Sequence, residues 1–419
     1  MDHFDYRDGT LFAEDVPVST IATEAGTPFY VYSSATLRRH YSVFTEGFAD
    51  ADVIVAFAVK ALSNIAVLSL LAKEGAGADI VSGGELYRAL KAGVDPRKIV
   101  FSGVGKTQEE MAAALDAGIG QFNVEGEAEL HALSAVAADK GLTAPVAFRI
   151  NPDVDAQTDD RISTGRAEDK FGIPCARAGE MFAMAGGLPS VKARGVAMHI
   201  GSQITSLSPF RAAAERAVDL VSELRAAGYG IETLDLGGGL GIPYAAGETP
   251  PPPKDYAALL RSVTDGLDVT IMFEPGRMIA GNAGIFVSKV IYLKTQGTVT
   301  YAIVDGAMND LIRPALYSAT HALVPVEEKV GTPTPFHVAG PVCESTDVFS
   351  RDVAMVNPQP GDLIAYRTAG AYGAVQASEY NTRPLVPEVL VDGDQFAVIR
   401  RRPTYDEMLS LETIPDFAR

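Results

Sequence analysis

The sequence predicts an α/β protein: a closed (β/α)8 barrel of the TIM type, followed by a mostly-β domain. Three observations carry that expectation. Between residues 53 and 275 one unit recurs, a short apolar run that ends in a polar or glycine-bearing turn and leads into an alanine-rich amphipathic segment. The runs number eight, which suits a closed barrel better than an open doubly wound sheet. After residue 283 the pattern changes to strand-like runs separated by Gly, Pro and Asp turns, with few helical stretches.

In chain order, the expected barrel strands are VIVAFAV (53–59), ADIVS (78–82), IVFSG (99–103), QFNVE (121–125), VAFRIN (146–151), GVAMHIG (195–201), TLDLGG (233–238) and VTIMFEP (269–275). Each is a short, largely apolar run, as expected of a strand buried on both faces. Segments with apolar spacing of three and four fill the gaps. Two of them, GELYRALKAG (84–93) and EEMAAALDAG (109–118), stop at Gly, a common helix terminator. TPPPPKD (249–255) reads as a surface excursion. The β domain is expected from GIFVSKVIYL, VTYAIVDG, RDVAMV, GDLIAYRTAG and EVLVDGDQFAVIRRR. The expected domains are 26–282 for the barrel and 283–419, joined by 1–25, for the β domain.

Composition narrows the function. A chain of 419 residues that is 47% hydrophobic builds large cores. A net charge of −18 provides no basic field for nucleic acid. Two cysteines, Cys175 and Cys343, are neither a disulfide framework nor a metal site. The N-terminal stretch has no apolar h-region, and runs such as IAVLSLLA (65–72) are too short to span a bilayer, so the expected location is the cytoplasm.

In a barrel of this type, function collects at the carboxyl ends of the strands. Those ends carry Lys60, Asp79, Ser82, Ser102, Asn123, Arg149, Asn151, His199, Ser202, Gly237 to Gly239, Glu274 and Arg277. Lys60, in FAVKALSN (57–64), follows a buried strand; burial disfavours the ammonium and suits the amine to Schiff-base chemistry. SGVGKT (102–107) fails as a phosphate loop, because Val100 stands where the leading glycine is needed. GGGLGI (237–242) fails as a dinucleotide loop, because Ile242 replaces the third glycine and no helix can follow. Its glycines suit either a bound phosphate or a tight barrel turn. His199, in MHIGSQ, faces the same mouth as Lys60. Glu274, in EPGR (274–277), either holds a protonated heteroaromatic nitrogen or pairs with Arg277. Arg313 and Tyr317, four residues apart in RPALY, lie on one helical face and suit a carboxylate. Cys343 beside Glu344, in PVCESTD (341–347), is a proton donor or an inert thiol.

Taken together, FAVKALSN, ADIVSGGEL, ISTGRAEDKFGI, HIGSQ, DLGGGLGIPY, EPGR, DGAMNDLIRPALY, PVCESTDVF and AGAYGAVQASEYN resemble the diaminopimelate decarboxylases, a family of pyridoxal-phosphate (PLP) enzymes with the alanine-racemase-like fold. The resemblance runs from about residue 26 to 393. It implies decarboxylation of meso-2,6-diaminopimelate to L-lysine and carbon dioxide. Lys60 would carry PLP, His199 would stack on its ring and Glu274 would pair with the ring nitrogen. Asp79, Ser202, Gly237, Gly238, Gly239, Gly276, Arg277 and Tyr372 would complete the cofactor site. Arg277, Arg313, Tyr317, Glu344 and Tyr372 would hold the substrate, and Cys343 would return a proton. The resemblance further implies a homodimer in which the Cys-Glu loop of one chain completes the site of the other; charge, hydropathy and cysteine spacing give no nucleic-acid, membrane or metal partner.

Thr346, Asp159, Asp160 and Ala307 depart from the family pattern in segments that face the substrate. The rival readings are a same-fold decarboxylase of ornithine, lysine, arginine or a carboxylated polyamine, a racemase, and a binding protein of the same fold without PLP. Arg313, Arg277 and the ISTG segment weigh against the first, Cys343–Glu344 against the second, and Lys60, His199 and Glu274 against the third.

Overall fold

A computed structural model describes residues 2–166, 168–245 and 247–419, and of Asp160 the backbone only. The chain forms two compact units, one of Leu37–Ala280 and one of Gly281–Arg419 together with the residues up to Thr36.

The first unit is the barrel. Its strands are Val53–Ala58 (β1), Gly77–Ile80 (β2), Ile99–Phe101 (β3), Gln121–Val124 (β4), Ala144–Asn151 (β5), Val191–Ala197 (β6), Thr233–Asp235 (β7) and Thr270–Phe273 (β8). Each pairs in parallel with the next, β8 pairs with β1 and β4 with β5, so the sheet closes. All eight expected strands are present. Phe57, Phe101, Phe122, Phe148 and Phe273 are fully buried, each contributing roughly 2–3 kcal/mol. The helices begin and end where the sequence supplies caps. Thr107 and Glu110 form a reciprocal capping box at Gln108–Ala117, and Gly118 closes that helix in the left-handed conformation at φ 68°. The proline run ends in a proline at the start of the helix Pro253–Thr264, where the missing N–H costs nothing.

Alternation along the strands sets what lies inside the barrel. Ala56, Val100 and Met272 form an apolar plug. The next inward positions toward the carboxyl ends are polar: Ser102 follows Val100 and Glu274 follows Met272 by two residues.

The second unit is mostly β. Its sheet runs Val348–Met355, Thr334–Ala339, Val299–Val304, Gly284–Gln296, Phe29–Ser33, Glu388–Asp392 and Gln395–Arg400, with Leu363–Tyr366 also on Gly284–Gln296. The last two strands are a hairpin turned at Gly393 (φ 63°). The N-terminal stretch belongs here: Phe4, Leu11, Val16 and Ile21 share a core with Ile285, Val287 and Val389. Phe29–Ser33 differs from expectation. It falls inside the expected barrel domain of 26–282, yet it pairs with Gly284–Gln296 and Glu388–Asp392. The described residues contain no helix long and apolar enough to cross a membrane.

Candidate active site

At the carboxyl end of β1 the chain turns through the short helix Val59–Ala61, which carries Lys60. Lys60 Nζ lies 2.8 Å from Asp79 Oδ2, and the Asp79 side chain, at the end of β2, is fully buried. This corrects the expectation of an ammonium destabilised by burial. The lysine side chain is 35% exposed and its charge has a carboxylate partner. Asp79 Oδ1 is buried with no hydrogen-bond partner among the described residues.

His199 follows β6. Its Nδ1 accepts the Gly238 amide at 3.2 Å, which places the ring proton on Nε2. Burial, then the charges of Arg149 and Lys60, hold its pKa well below the usual histidine range, so the ring is neutral. Glu274, directly after β8, accepts from Ser102 Oγ at 3.2 Å and from Asn123 Nδ2 at 3.2 Å. Burial, then the carboxyls of Asp235 and Asp79, push its pKa well above the usual range, against the pull of Lys60. Arg277, 8% exposed, donates to Ser202 Oγ at 3.1 Å and to Tyr244 Oη at 2.6 Å. The salt bridge between Glu274 and Arg277 is thus replaced by separate partners for each.

The glycine loop is tight against these groups. A Cβ on Gly237 would come within 2.8 Å of His199 Nδ1, and one on Gly238 within 2.2 Å of the Glu274 carbonyl oxygen. On Gly276, a Cβ would meet the Ala61 Cβ at 2.9 Å. Two of the three amides in the run are already engaged. The Gly237 amide is used by Asp235 Oδ1 and the Gly238 amide by His199. Gly238→Ala is therefore expected to weaken PLP binding at least about tenfold and to lower stability by roughly 1–3 kcal/mol through overpacking. Cofactor titration and thermal melting of the apo-protein check both; unchanged values in both would show that the loop tolerates the methyl group.

In the second unit, Arg313 and Tyr317 lie on the helix Arg313–Tyr317 as their spacing predicts. Arg313 is 6% exposed, with Nη1 at 3.0 Å from His321 Nε2; His321 Nδ1 is 2.9 Å from the Arg367 carbonyl oxygen. The carbonyl requires a proton on Nδ1, which leaves Nε2 as the acceptor that orients the guanidinium. Cys343 and Glu344 sit on an exposed loop, where Tyr380 Oη donates to Glu344 Oε1 at 2.7 Å. Buried Asp347 shapes this loop by accepting the Val342 and Met308 amides, each at 2.7 Å. Tyr372 has a left-handed backbone at φ 57°. The family departures disturb none of this. Thr346 is exposed, Ala307 is buried without a positive φ, and Asp159 pairs with Arg161 at 2.9 Å; the Asp160 side chain lies outside the described residues.

Five residues that hold these groups escaped the sequence reading: Asp235, Tyr244, His321, Asp347 and Tyr380. Asp235 had a readable signal, a lone acid at the end of an apolar strand. A separate cavity of about 810 Å3, lined by Asp52, Arg225, Glu232, Arg261 and Asp268 among others, opens at the amino ends of β7, β8 and β1 and contains no expected site residue.

Comparison with known proteins identifies the family. Residues 34–281 match the family described as pyridoxal-dependent decarboxylase, pyridoxal binding domain. The chain is 50% identical over 414 residues to a diaminopimelate decarboxylase of Pseudomonas aeruginosa, with 99% of each chain covered. It is 48% identical over 416 residues to that of Vibrio cholerae, again with 99% of each covered. A crystal structure of diaminopimelate decarboxylase from M. jannaschii in complex with L-lysine superposes with a TM-score of 0.95 at 37% identity, covering 99% of each chain. On barrel, strand-end lysine and near-full-length identity together, the chain belongs to the diaminopimelate decarboxylase family of pyridoxal-dependent enzymes.

Proposed function

We propose that this protein decarboxylates meso-2,6-diaminopimelate to L-lysine and carbon dioxide with PLP, the last step of lysine biosynthesis. One observation carries the reading beyond family membership. Lys60, Glu274 and neutral His199 converge at the carboxyl end of one closed barrel, with Asp79 holding the lysine ammonium at 2.8 Å.

The residues present fit the cofactor. Its phosphate suits the Gly239 turn, Ser202 and the buried Arg277 guanidinium. Its ring nitrogen suits Glu274, whose high proton affinity matches a partner that must share or give a proton. A neutral His199 would stack on a cationic ring without charge repulsion. When bound, PLP supplies the electron sink for the pair left by the departing carboxylate. Lys60 is the covalent attachment point and Asp79 orients its amine. Glu274 stabilises positive charge at the ring nitrogen. Arg313, Tyr317 and Glu344 address the distal amino-acid group, with Arg277 and Tyr372 as further substrate contacts, and Cys343 delivers the proton that completes L-lysine.

The test is direct. The purified enzyme should show a visible cofactor band, and borohydride should fix the cofactor to Lys60, located by peptide mass spectrometry. Label on Lys106 or Lys170 instead would contradict the assignment.

A homodimer with shared sites belongs to the same proposal, as does a cytoplasmic location. The exposure of Cys343 and Glu344 within their own chain supports use by a partner. Mixing Lys60→Ala chains with Cys343→Ala chains should then restore part of the activity, because a mixed dimer contains one intact site. No recovery, with subunit exchange confirmed, would rule out sharing.

A further inference from the structure

The inside of the barrel holds more polar chemistry than cofactor binding requires. Thr233 Oγ1 donates to Gln121 Oε1 at 2.7 Å, and Gln121 Nε2 donates to Asn123 Oδ1 at 2.9 Å. Asn123 Nδ2 then lies 3.1 Å from Asp235 Oδ2, 3.2 Å from Glu274 Oε1 and 3.1 Å from Ser102 Oγ. The residues come from β4 and β7 and from the positions directly after β3 and β8, so the network spans the interior. Asp235 and Glu274, 1% and 8% exposed, thus converge on one amide nitrogen.

The donors do not suffice for two ionised carboxylates. The Asn123 amide has two protons for three acceptors. Ser102 adds one toward Glu274, and the Gly237 amide adds one to Asp235 Oδ1 at 2.9 Å. All are neutral. Two like charges on one amide nitrogen, out of water, are strongly unfavourable, whereas one proton held between them relieves the repulsion.

We propose that Asp235 is a positioning residue that acts through Glu274: the two carboxyls hold one proton between them, and Asn123 fixes both, so that Glu274 is presented in one orientation by a pair carrying a single negative charge. Burial raises the pKa of both groups, and each contributes to the perturbation of the other. The other charged groups facing the pair are Asp79, which reinforces proton retention, and Lys60, which opposes it at Glu274. Tyr256, a further titratable neighbour of Asp235, is buried and held neutral with its pKa pushed up. The shared proton is a property of the chain itself. Its consequence for catalysis rests on the reading of Glu274 given above.

Infrared spectroscopy of the apo-protein, with Asp and Glu carboxyls isotope-labelled, reads the proton without any cofactor. At about pH 9, far above the ordinary carboxylate range, Glu85 and Asp310 are ionised, since burial raises each only to about 7. A protonated-carboxyl band should remain in the wild type and disappear in both Asp235→Asn and Glu274→Gln, because the proton needs two carboxyls. A band that survives in Asp235→Asn would make Asp235 a mere anchor for the Gly237 amide, and no band in the wild type would remove the shared proton; either overturns the proposal. If Asp235→Asn does not fold, isotope label placed on Asp alone and on Glu alone in the wild type still decides: the band of a shared proton responds to both labels, and a band that responds to the Glu label alone would overturn the sharing. In the PLP-loaded enzyme, Asp235→Asn should lower kcat about 10- to 100-fold, as outer-shell changes do at metal sites, with KM within about twofold. An unchanged kcat would overturn the positioning role. An unchanged cofactor spectrum and kcat in Glu274→Gln would instead sink the ring-nitrogen reading, with the apo-protein band still standing.

Discussion

Lys60→Ala is expected to lower turnover by about four or more powers of ten, the scale on which removal of a covalent nucleophile is felt. The change does two things that must be separated. It removes the amine, and it strips buried Asp79 of its partner at 2.8 Å. Loss of a fully buried pair costs about 3–5 kcal/mol, but Lys60 is 35% exposed, so solvent screens part of the interaction and the cost should fall below that range. Lys60→Arg distinguishes the two effects. A guanidinium can still pair with Asp79 but cannot form the covalent link. Lys60→Arg should therefore recover stability in thermal melts and remain as inactive as alanine. Substantial activity in the arginine variant would show that the attachment point lies elsewhere.

The second large effect is expected at Arg313. The guanidinium is buried and oriented by His321 Nε2 at 3.0 Å, which in turn is held by the Arg367 carbonyl. A buried arginine–carboxylate contact is charge-assisted and geometrically demanding. Truncating Arg313 would leave the distal carboxylate of the substrate poorly paired, at roughly 2–5 kcal/mol. Catalytic efficiency on diaminopimelate should fall by about two to three orders of magnitude in Arg313→Ala, at about 1.4 kcal/mol per tenfold. The lysine variant restores charge without the fork and should recover only part. The cofactor spectrum should not change. Near-intact turnover in Arg313→Ala would make the arginine structural and weaken the case for this substrate over L-ornithine or L-arginine.

The barrel was legible because burial on both faces leaves an apolar run for each strand, and all eight runs became strands. Lys60, His199 and Glu274 were legible for the same reason, since a polar residue at the end of such a run stands out. Asp235 was less visible, because TLDLGG drew attention to its glycines and the acid looks like part of the turn. Its partners lie on non-adjacent strands, and no spacing in the sequence encodes a bond across a barrel interior. Phe29–Ser33 was misplaced for a related reason. Its partners are more than 250 residues away, and local pattern carries no information about them. Thr334–Ala339 was missed because its proline obscures the strand pattern. Amphipathic spacing placed Arg313 and Tyr317 correctly, whereas the chemistry of Cys343 and Glu344 came only from family resemblance.

The measurement that bears most directly on the account is carbon dioxide release by the PLP-loaded enzyme from meso-2,6-diaminopimelate, run beside L-lysine, L-ornithine and L-arginine. The account predicts turnover of diaminopimelate with stoichiometric L-lysine, and efficiency on the other three lower by at least about a hundredfold, because each lacks the distal carboxylate proposed to meet Arg313. Equal or higher efficiency on L-ornithine, L-arginine or L-lysine, or no carbon dioxide from diaminopimelate with the cofactor bound, would contradict it.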